Sequence, residues 1–322
     1  MLLEILILIA GLALIVGGAD ALVEGSSRVA RRAGISEFVI GLTIVGMGTS
    51  APEMVVSFVG AIKGSSDIAL GNVIGSNIFN TLLILGVTAL IMPMAITRQN
   101  KRKDIPMNII ITVILLVLGL NSTIFGAGQN VLSRIDGLIL LTIFICYMIV
   151  SFKEGKTQNE GEESEEDSGK ERSIAFSIGQ IVLGLAALIF GGDIFVDSAT
   201  EIAKMAGLSD KFIAITILAG GTSMPELATC IVAAAKKKGQ LALGNILGSN
   251  IFNVLLILGG SAIIRPLSFA NINFVDAGVL LFSALIVLLA AFFWKKDEID
   301  RVDGGIMVGC FAAYMAWLLV NL

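Results

Sequence analysis

Gly48-Thr49-Ser50-Ala51-Pro52-Glu53 recurs as Gly221-Thr222-Ser223-Met224-Pro225-Glu226, 173 positions further on (48 to 221). A second stretch keeps the same offset. Ala69-Leu70-Gly71-Asn72-Val73-Ile74-Gly75-Ser76-Asn77-Ile78-Phe79-Asn80 returns as Ala242-Leu243-Gly244-Asn245-Ile246-Leu247-Gly248-Ser249-Asn250-Ile251-Phe252-Asn253. Between 69–86 and 242–259, 15 of 18 positions are identical, which excludes chance. The alignment runs without a gap from Gly18/Gly191 to Pro93/Pro266. It resumes at a slightly shorter offset with Asp136-Gly137 against Asp303-Gly304, and Tyr147 against Tyr314. The chain is a duplication, and each copy carries one carboxylate, Glu53 or Glu226, inside a long apolar run.

The 322 residues are 56% hydrophobic and 15% charged, with mean hydropathy +0.91. That is too apolar for a soluble domain, and the runs are long enough to cross a bilayer, which takes about 20 residues. Ten apolar segments are expected: 2–32, 36–62, 67–92, 105–122, 131–152, 173–205, 209–235, 240–264, 272–294 and 302–321. Segments 1 and 6 exceed the bilayer and should tilt. Pro93 and Pro266 close segments 3 and 8, and Pro106 suits the first turn of segment 4. The N-terminus has an early Glu4 and no basic region before its apolar run, so it reads as a first membrane helix rather than a cleaved signal. Cys146, Cys230 and Cys310 all lie in apolar runs, giving neither a disulfide framework nor a metal cluster. With no histidine in the chain, His metal sites, His proton relays and Ser-His catalysis are excluded.

Residues 153–172 differ in kind, with eight acidic and four basic residues and almost nothing apolar. They read as a solvated linker. An acidic loop can also bind Ca2+, but no EF-hand spacing is present. Lys and Arg set the orientation. With the N-terminus outside, 17 of the 22 basic residues fall on the inner side, and only Lys63, Arg134, Lys204, Lys211 and Arg265 fall on the outer side. Five segments per half then make the second copy enter from the opposite face. The expected fold is an all-α membrane protein of ten transmembrane helices, arranged as two inverted five-helix repeats. The first repeat is 1–152, the acidic cytoplasmic linker is 153–172, and the second repeat is 173–322.

The chemistry sits in segments 2, 3, 7 and 8. A carboxylate at mid-bilayer is expensive unless neutralised or bound, and no embedded Lys or Arg is placed to pair with Glu53 or Glu226. The partner is a mobile cation or a proton. Proline removes a backbone donor and glycine releases the chain from helical geometry, so Gly-Thr-Ser-x-Pro should break the helix and turn carbonyls toward a cavity. Thr49, Ser50, Thr222 and Ser223 add hydroxyl oxygens. Ser76, Asn80, Ser249 and Asn253 add more from the second stretch. An all-oxygen set with two carboxylates suits Ca2+, a hard cation taking about six to eight oxygens, or several Na+ ions. The plainer readings are a small-residue packing device at Gly71 and Gly75 and a protonated, structural glutamate. Duplication of the whole motif favours the ion site. Asp20 with Glu24, and Asp193 with Asp197, form a further matched set. They either attract cations to the two mouths or are the wet ends of long helices.

These two motifs, each present twice and in order over nearly the whole chain, resemble the α-repeats of the Na+/Ca2+ exchanger family within the cation/Ca2+ antiporter superfamily. The resemblance implies a prokaryotic-type cell-membrane antiporter, with the Na+ gradient driving Ca2+ outward by alternating access. It implies sliding of helices 1 and 6 across an ion cluster built by Glu53, Glu226, Thr49, Ser50, Thr222, Ser223, Ser76, Asn80, Ser249 and Asn253. Backbone carbonyls at Gly46 and Ala219 are implied too. Some relatives carry Asp where this chain has Asn253, which puts K+ coupling in doubt. The alternatives are a H+/Ca2+ antiporter and a K+-dependent exchanger. A channel lacks a repeated filter loop here, and an intramembrane aspartyl protease lacks its Gly-x-Gly-Asp signature. The expected partners are the lipid bilayer and the transported Ca2+ and Na+, with no resident cofactor, no nucleic acid and no enzymatic activity.

Overall fold

The computed structural model describes residues 2–126, 129–157, 173–207, 219–294 and 297–321. The chain is helical almost throughout. Helices α1 (Leu2–Ala33), α3 (Ser66–Ile91), α5 (Arg134–Thr157), α6 (Ile174–Met205), α8 (Gly239–Ile264), α9 (Phe274–Phe292) and α10 (Arg301–Asn321) are each apolar enough to cross a membrane. Helix α2 is a broken span, Glu37–Thr49 followed by Ala51–Lys63, bent by 49°. Helix α4 (Ile105–Gly119) continues directly from a π-helical turn over Asn100–Asp104. Helix α7 is described from Met224 to Ala235, with a short turn Ala219–Gly221 ahead of it. The N-terminal part expected for segment 7 lies outside the described residues. So does most of the acidic linker, whose first residues extend α5 to Thr157.

Local chemistry sets the helix ends. Ser36, Ser173 and Asn273 accept backbone N–H groups three residues ahead and so start α2, α6 and α9. Gly34 (φ 61°) and Gly64 (φ 79°) turn the chain out of α1 and α2 in the left-handed region. At 32 residues each, α1 and α6 are about 48 Å long, against a hydrocarbon core of about 30 Å, so they must lie tilted.

The inversion is visible in the contacts. Helices α1 and α6 pack along their whole lengths, antiparallel, through glycines. A Cβ on Gly18 would lie 2.8 Å from the Gly184 carbonyl oxygen, and one on Gly191 would lie 3.0 Å from the Gly11 carbonyl oxygen. Gly11 and Gly184 are repeat mates, as are Gly18 and Gly191. The Gly18–Gly184 contact is therefore repeated by their mates as Gly191–Gly11, the signature of a pseudo-two-fold axis. The same exchange joins α3 to α10 at Gly86 and Gly304, and α8 to α5 at Gly259 and Gly137. Two short antiparallel ladders obey it as well. Strand β1 (Met94–Ala95) pairs with β4 (Glu298–Ile299), and β2 (Val131–Leu132) pairs with β3 (Leu267–Ser268), so each ladder takes one strand from each half. Within the halves, Tyr147 donates to Asp104 at 2.8 Å and Tyr314 donates to Asp276 at 2.7 Å.

The core sits around α8. Its window is 94% buried, against 17–28% for α1, α5, α6 and α10, which face lipid. Among the described residues, three π-helical stretches interrupt the central helices: Gly41–Val45, Phe79–Ile84 and Asn253–Leu258. The last two are repeat mates. A hydrophobic pattern cannot reveal such a widened turn, because it shifts side chains by a fraction of a turn while leaving the apolar content unchanged.

Candidate cation site

Both signature motifs break their helices at the serine. Ser50 has φ −82° and ψ 10°, and Ser223 has φ −90° and ψ 7°. A new helix begins at the next residue, with Pro52 or Pro225 in its first turn, where a missing N–H costs nothing. Glu53 and Glu226 consequently sit in the first turns of their helices, at the positive end of the helix dipole. Both are 0% exposed.

The two motifs meet across the pseudo-axis. Ser50 Oγ donates to Glu226 Oε1 at 2.9 Å, and Ser223 Oγ donates to Glu53 Oε1 at 2.9 Å. Ser76 Oγ also donates to Glu53 Oε1, at 3.4 Å, and lies 3.3 Å from Ser223 Oγ. Thr49 Oγ1 lies within hydrogen-bond distance of the Val45 carbonyl and of Asn245 Oδ1, 3.1 Å from each, and its one proton serves one acceptor at a time. The Gly46 carbonyl receives the Ser50 backbone N–H at 3.1 Å, together with the Thr49 and Ser249 hydroxyls at 3.4 Å each. Gly46 thus keeps its helical bond while lying against Ser249 of the other half. Ala219 opens the short turn before the second motif.

Among the buried side-chain atoms left over, five belong to residues of the two repeated stretches. Glu53 Oε2, Glu226 Oε2, Asn80 Oδ1, Asn253 Oδ1 and Thr222 Oγ1 are buried without a hydrogen-bond partner. Among the described residues, neither glutamate has a Lys or Arg within ion-pair distance. Buried polar groups are ordinarily satisfied. Two carboxylate and three neutral oxygens left without donors, in helices that the Ser–Glu bonds hold together, are the kind of all-oxygen set a hard cation takes.

Further asparagines surround this cluster, outside the residues singled out from the sequence. Asn253 Nδ2 donates to Asn77 Oδ1 at 2.9 Å, and its mate Asn80 Nδ2 donates to Asn250 Oδ1 at 3.4 Å. Asn77 Nδ2 reaches the Asn250 carbonyl at 3.2 Å, and Asn250 Nδ2 reaches Thr81 Oγ1 at 2.8 Å. Asn72 Nδ2 donates to the Glu53 carbonyl at 3.1 Å. All three of these asparagines, Asn72, Asn77 and Asn250, belong to the repeated stretch, so their duplication was the available signal. Their role was hidden because an amide in a helix contact and an amide supporting a ligand look alike in sequence.

Helix α6 lies over both motifs. A Cβ on Gly48 would be 2.5 Å from Leu185 Cδ2, and one on Gly221 would be 2.7 Å from Val196 Cγ2. The matched acidic residues are not treated alike. Asp20 and Glu24 bind Lys236, at 2.7 and 3.1 Å, whereas Asp193 and Asp197 are exposed.

A buried, two-carboxylate oxygen cluster at the seam between inverted repeats, with helix dipoles aimed into it, defines the chain as a secondary transporter. The profile of the family described as sodium/calcium exchanger protein matches residues 3–153 and 176–320. The sodium/calcium exchanger MaX1 of Methanosarcina acetivorans is 32% identical over 343 residues, with 97% of each chain covered. The inner membrane protein YrbG of Escherichia coli K12 is 33% identical over 326 residues, covering 99% of this chain and 97% of its own. A solved structure of the sodium-calcium exchanger NCX_Mj, soaked with zero Na+ and Ca2+, superposes with a TM-score of 0.84 at 32% identity, covering 98% of this chain and 99% of that one. The chain belongs to the sodium/calcium exchanger protein family and is a multi-pass membrane antiporter of Ca2+ against another cation.

Proposed function

We propose that the cation exchanged for Ca2+ is Na+, that K+ is not required, and that the Na+ gradient drives Ca2+ out of the cell. The observation that carries this is the set of five unpartnered buried oxygens of Glu53, Glu226, Asn80, Asn253 and Thr222. Two carboxylates neutralise one Ca2+ or two Na+. Two protons would neutralise the charge as well, but they supply only two donors and leave the remaining oxygens unsatisfied. An all-oxygen cage suits Na+ and Ca2+ alike. In this reading Glu53, Glu226, Thr49, Ser50, Thr222, Ser223, Ser76, Asn80, Ser249 and Asn253, with the carbonyls of Gly46 and Ala219, form the binding cluster.

Coupling follows from charge. Empty, the site holds two adjacent carboxylates in a medium of low dielectric, and isolated buried charges cost several kcal/mol each. The loaded protein is near neutral at the site and can reorient. The glycine-lined α1–α6 seam offers a surface on which that pair can slide past the site. The N-terminus lies outside, which puts the Lys236 end of α7 and the 153–172 linker in the cytoplasm, in keeping with the basic-residue bias.

The direct test is Ca2+ flux into proteoliposomes under an imposed Na+, K+ or H+ gradient. Flux driven by Na+ alone is expected, and flux driven only by H+ would overturn the assignment. Asn253 sharpens the test. An amide offers an oxygen without charge. Asn253→Asp would place a third carboxylate beside two others, and it must then take up a proton or another monovalent cation. Wild-type exchange is expected to be indifferent to replacing K+ with a large inert cation, whereas Asn253→Asp becomes K+-responsive or more steeply pH-dependent. A K+ requirement in the wild type would refute the neutral-ligand reading of Asn253.

A further inference from the structure

We propose that Asn77 and Asn250 are positioning residues that determine which end of the Asn80 and Asn253 amides the transported cation meets. This rests on the cation-site reading above. A carboxamide has an oxygen end that attracts cations and an N–H2 end that repels them, and in a small pocket the two are sterically interchangeable. Here the ambiguity is removed twice, by the same device. Asn253 Nδ2 is held by Asn77 Oδ1, and Asn80 Nδ2 is held by Asn250 Oδ1, each acceptor coming from the opposite half of the chain. The released Oδ1 atoms are the two amide oxygens left unpartnered in the cluster. Asn77 and Asn250 are themselves 2% exposed, and their own N–H2 groups are used, on the Asn250 carbonyl and the Thr81 hydroxyl. Their acceptors therefore cannot rotate away.

The test is a double-mutant cycle read by Ca2+ binding to the purified full chain, not by transport. Asn250→Leu keeps the γ-branched shape and removes the anchor. Asn80→Ala removes the anchored ligand. Each is expected to weaken Ca2+ binding about ten-fold, the effect of losing one oxygen contact, and the double variant is expected to be no weaker than either single. A purely structural role for Asn250 would make the losses multiply to about a hundred-fold, which overturns the proposal, as does wild-type affinity in Asn250→Leu. Unchanged affinity in Asn80→Ala would instead overturn the site assignment itself. Asn77→Leu with Asn253→Ala gives an independent copy of the cycle should Asn250→Leu not fold.

A second, separate observation concerns the two faces. Lys236, at the end of α7, binds Asp20 and Glu24 of α1, and Arg28 extends the cluster to Glu24 at 2.7 Å and to Gln180 of α6 at 2.6 Å. Shifting Lys236, Asp20 and Glu24 by the repeat offset gives Lys63, at the end of α2, with Asp193 and Asp197 on α6. All three side chains are exposed, and none has an ion pair among the described residues. The packing follows the charges: α1 lies along α7, while the equivalent approach of α6 to Ala51–Lys63 is nearly absent. We infer that these are two alternating latches, with the Lys236 latch closed in this structure and the Lys63 latch closing when the other face seals. The test is Ca2+ flux in oriented proteoliposomes with Ca2+ limiting on either side. Lys236→Gln opens the Lys236 face more often and is expected to lower the half-saturating Ca2+ on that side about three-fold and raise it on the other, because exposed ion pairs are weak. Lys63→Gln is expected to do the reverse. Shifts of the same sign in the two variants, or no shift in either, would refute the latch.

Discussion

Replacing either glutamate with glutamine is expected to abolish Ca2+ exchange while leaving the protein folded. Gln at 53 or 226 keeps an oxygen to accept the Ser223 or Ser50 hydroxyl, so the seam between the motifs survives. What changes is Oε2, which is buried without a partner in the native chain and becomes an N–H2 group pointing into the cation cluster. A unit charge about 4 Å from a monovalent cation contributes about 4 kcal/mol at an effective dielectric near 20, and the effect on a dication is larger. Since about 1.4 kcal/mol is ten-fold in affinity, transport should fall at least about 100-fold in Glu53→Gln and in Glu226→Gln. Stability in ion-free buffer should be equal to or above that of the wild type, because a neutral amide replaces one of two uncompensated buried carboxylates. The measurements are Ca2+ flux in proteoliposomes and thermal melting with and without Ca2+. Near wild-type flux in either variant would remove that glutamate from the site and overturn the two-carboxylate assignment.

Gly244→Ala is expected to prevent assembly of the protein. A Cβ there would lie 2.2 Å from the Phe38 carbonyl oxygen and 2.9 Å from the Leu42 nitrogen. Both are backbone atoms of α2, so no side chain can swing aside. Overpacking a core costs about 1–3 kcal/mol even where neighbours can adjust, and here two helices that both carry the cation cluster would have to separate. Gly17→Ala is the control. Its Cβ would meet nothing within 4 Å, and alanine favours a helix by about 1 kcal/mol over glycine, so it should be neutral or mildly stabilising. Yield of monodisperse protein and melting temperature distinguish the two. A normally folded Gly244→Ala protein would show that the close α2–α8 approach is not needed.

The role of the small-residue stretch is therefore double. Gly244 and Gly248 let α8 approach α2 at van der Waals distance, with Cβ positions 2.2 and 2.3 Å from α2 carbonyls. That approach brings Ser249 against Gly46 and Asn245 against Thr49. In the proposed site, packing and ligand placement are one device, so the packing reading of this motif and the ion-site reading do not compete.

Membrane class, duplication, inverted five-helix halves and family are all legible in the amino-acid sequence. These rest on signals that are local or self-referential: apolar runs of bilayer length, a motif copied within one chain, and proline-marked breaks that place Glu53 and Glu226 in mid-span. Relations between the copies emerge only in the folded chain. Sequence comparison aligns Ser50 with Ser223, but the hydrogen bonds run crosswise, from Ser50 to Glu226 and from Ser223 to Glu53. The π-helical turns at Phe79–Ile84 and Asn253–Leu258, the anchoring of Asn80 and Asn253 by Asn250 and Asn77, and the unequal fates of the Lys236 and Lys63 sets are likewise invisible to pattern. The physical reason is that identical sequences carry identical local preferences. Which mate each side chain meets, and which of two equivalent faces is closed, depends on how the two halves are docked, and that is a property of the assembled chain.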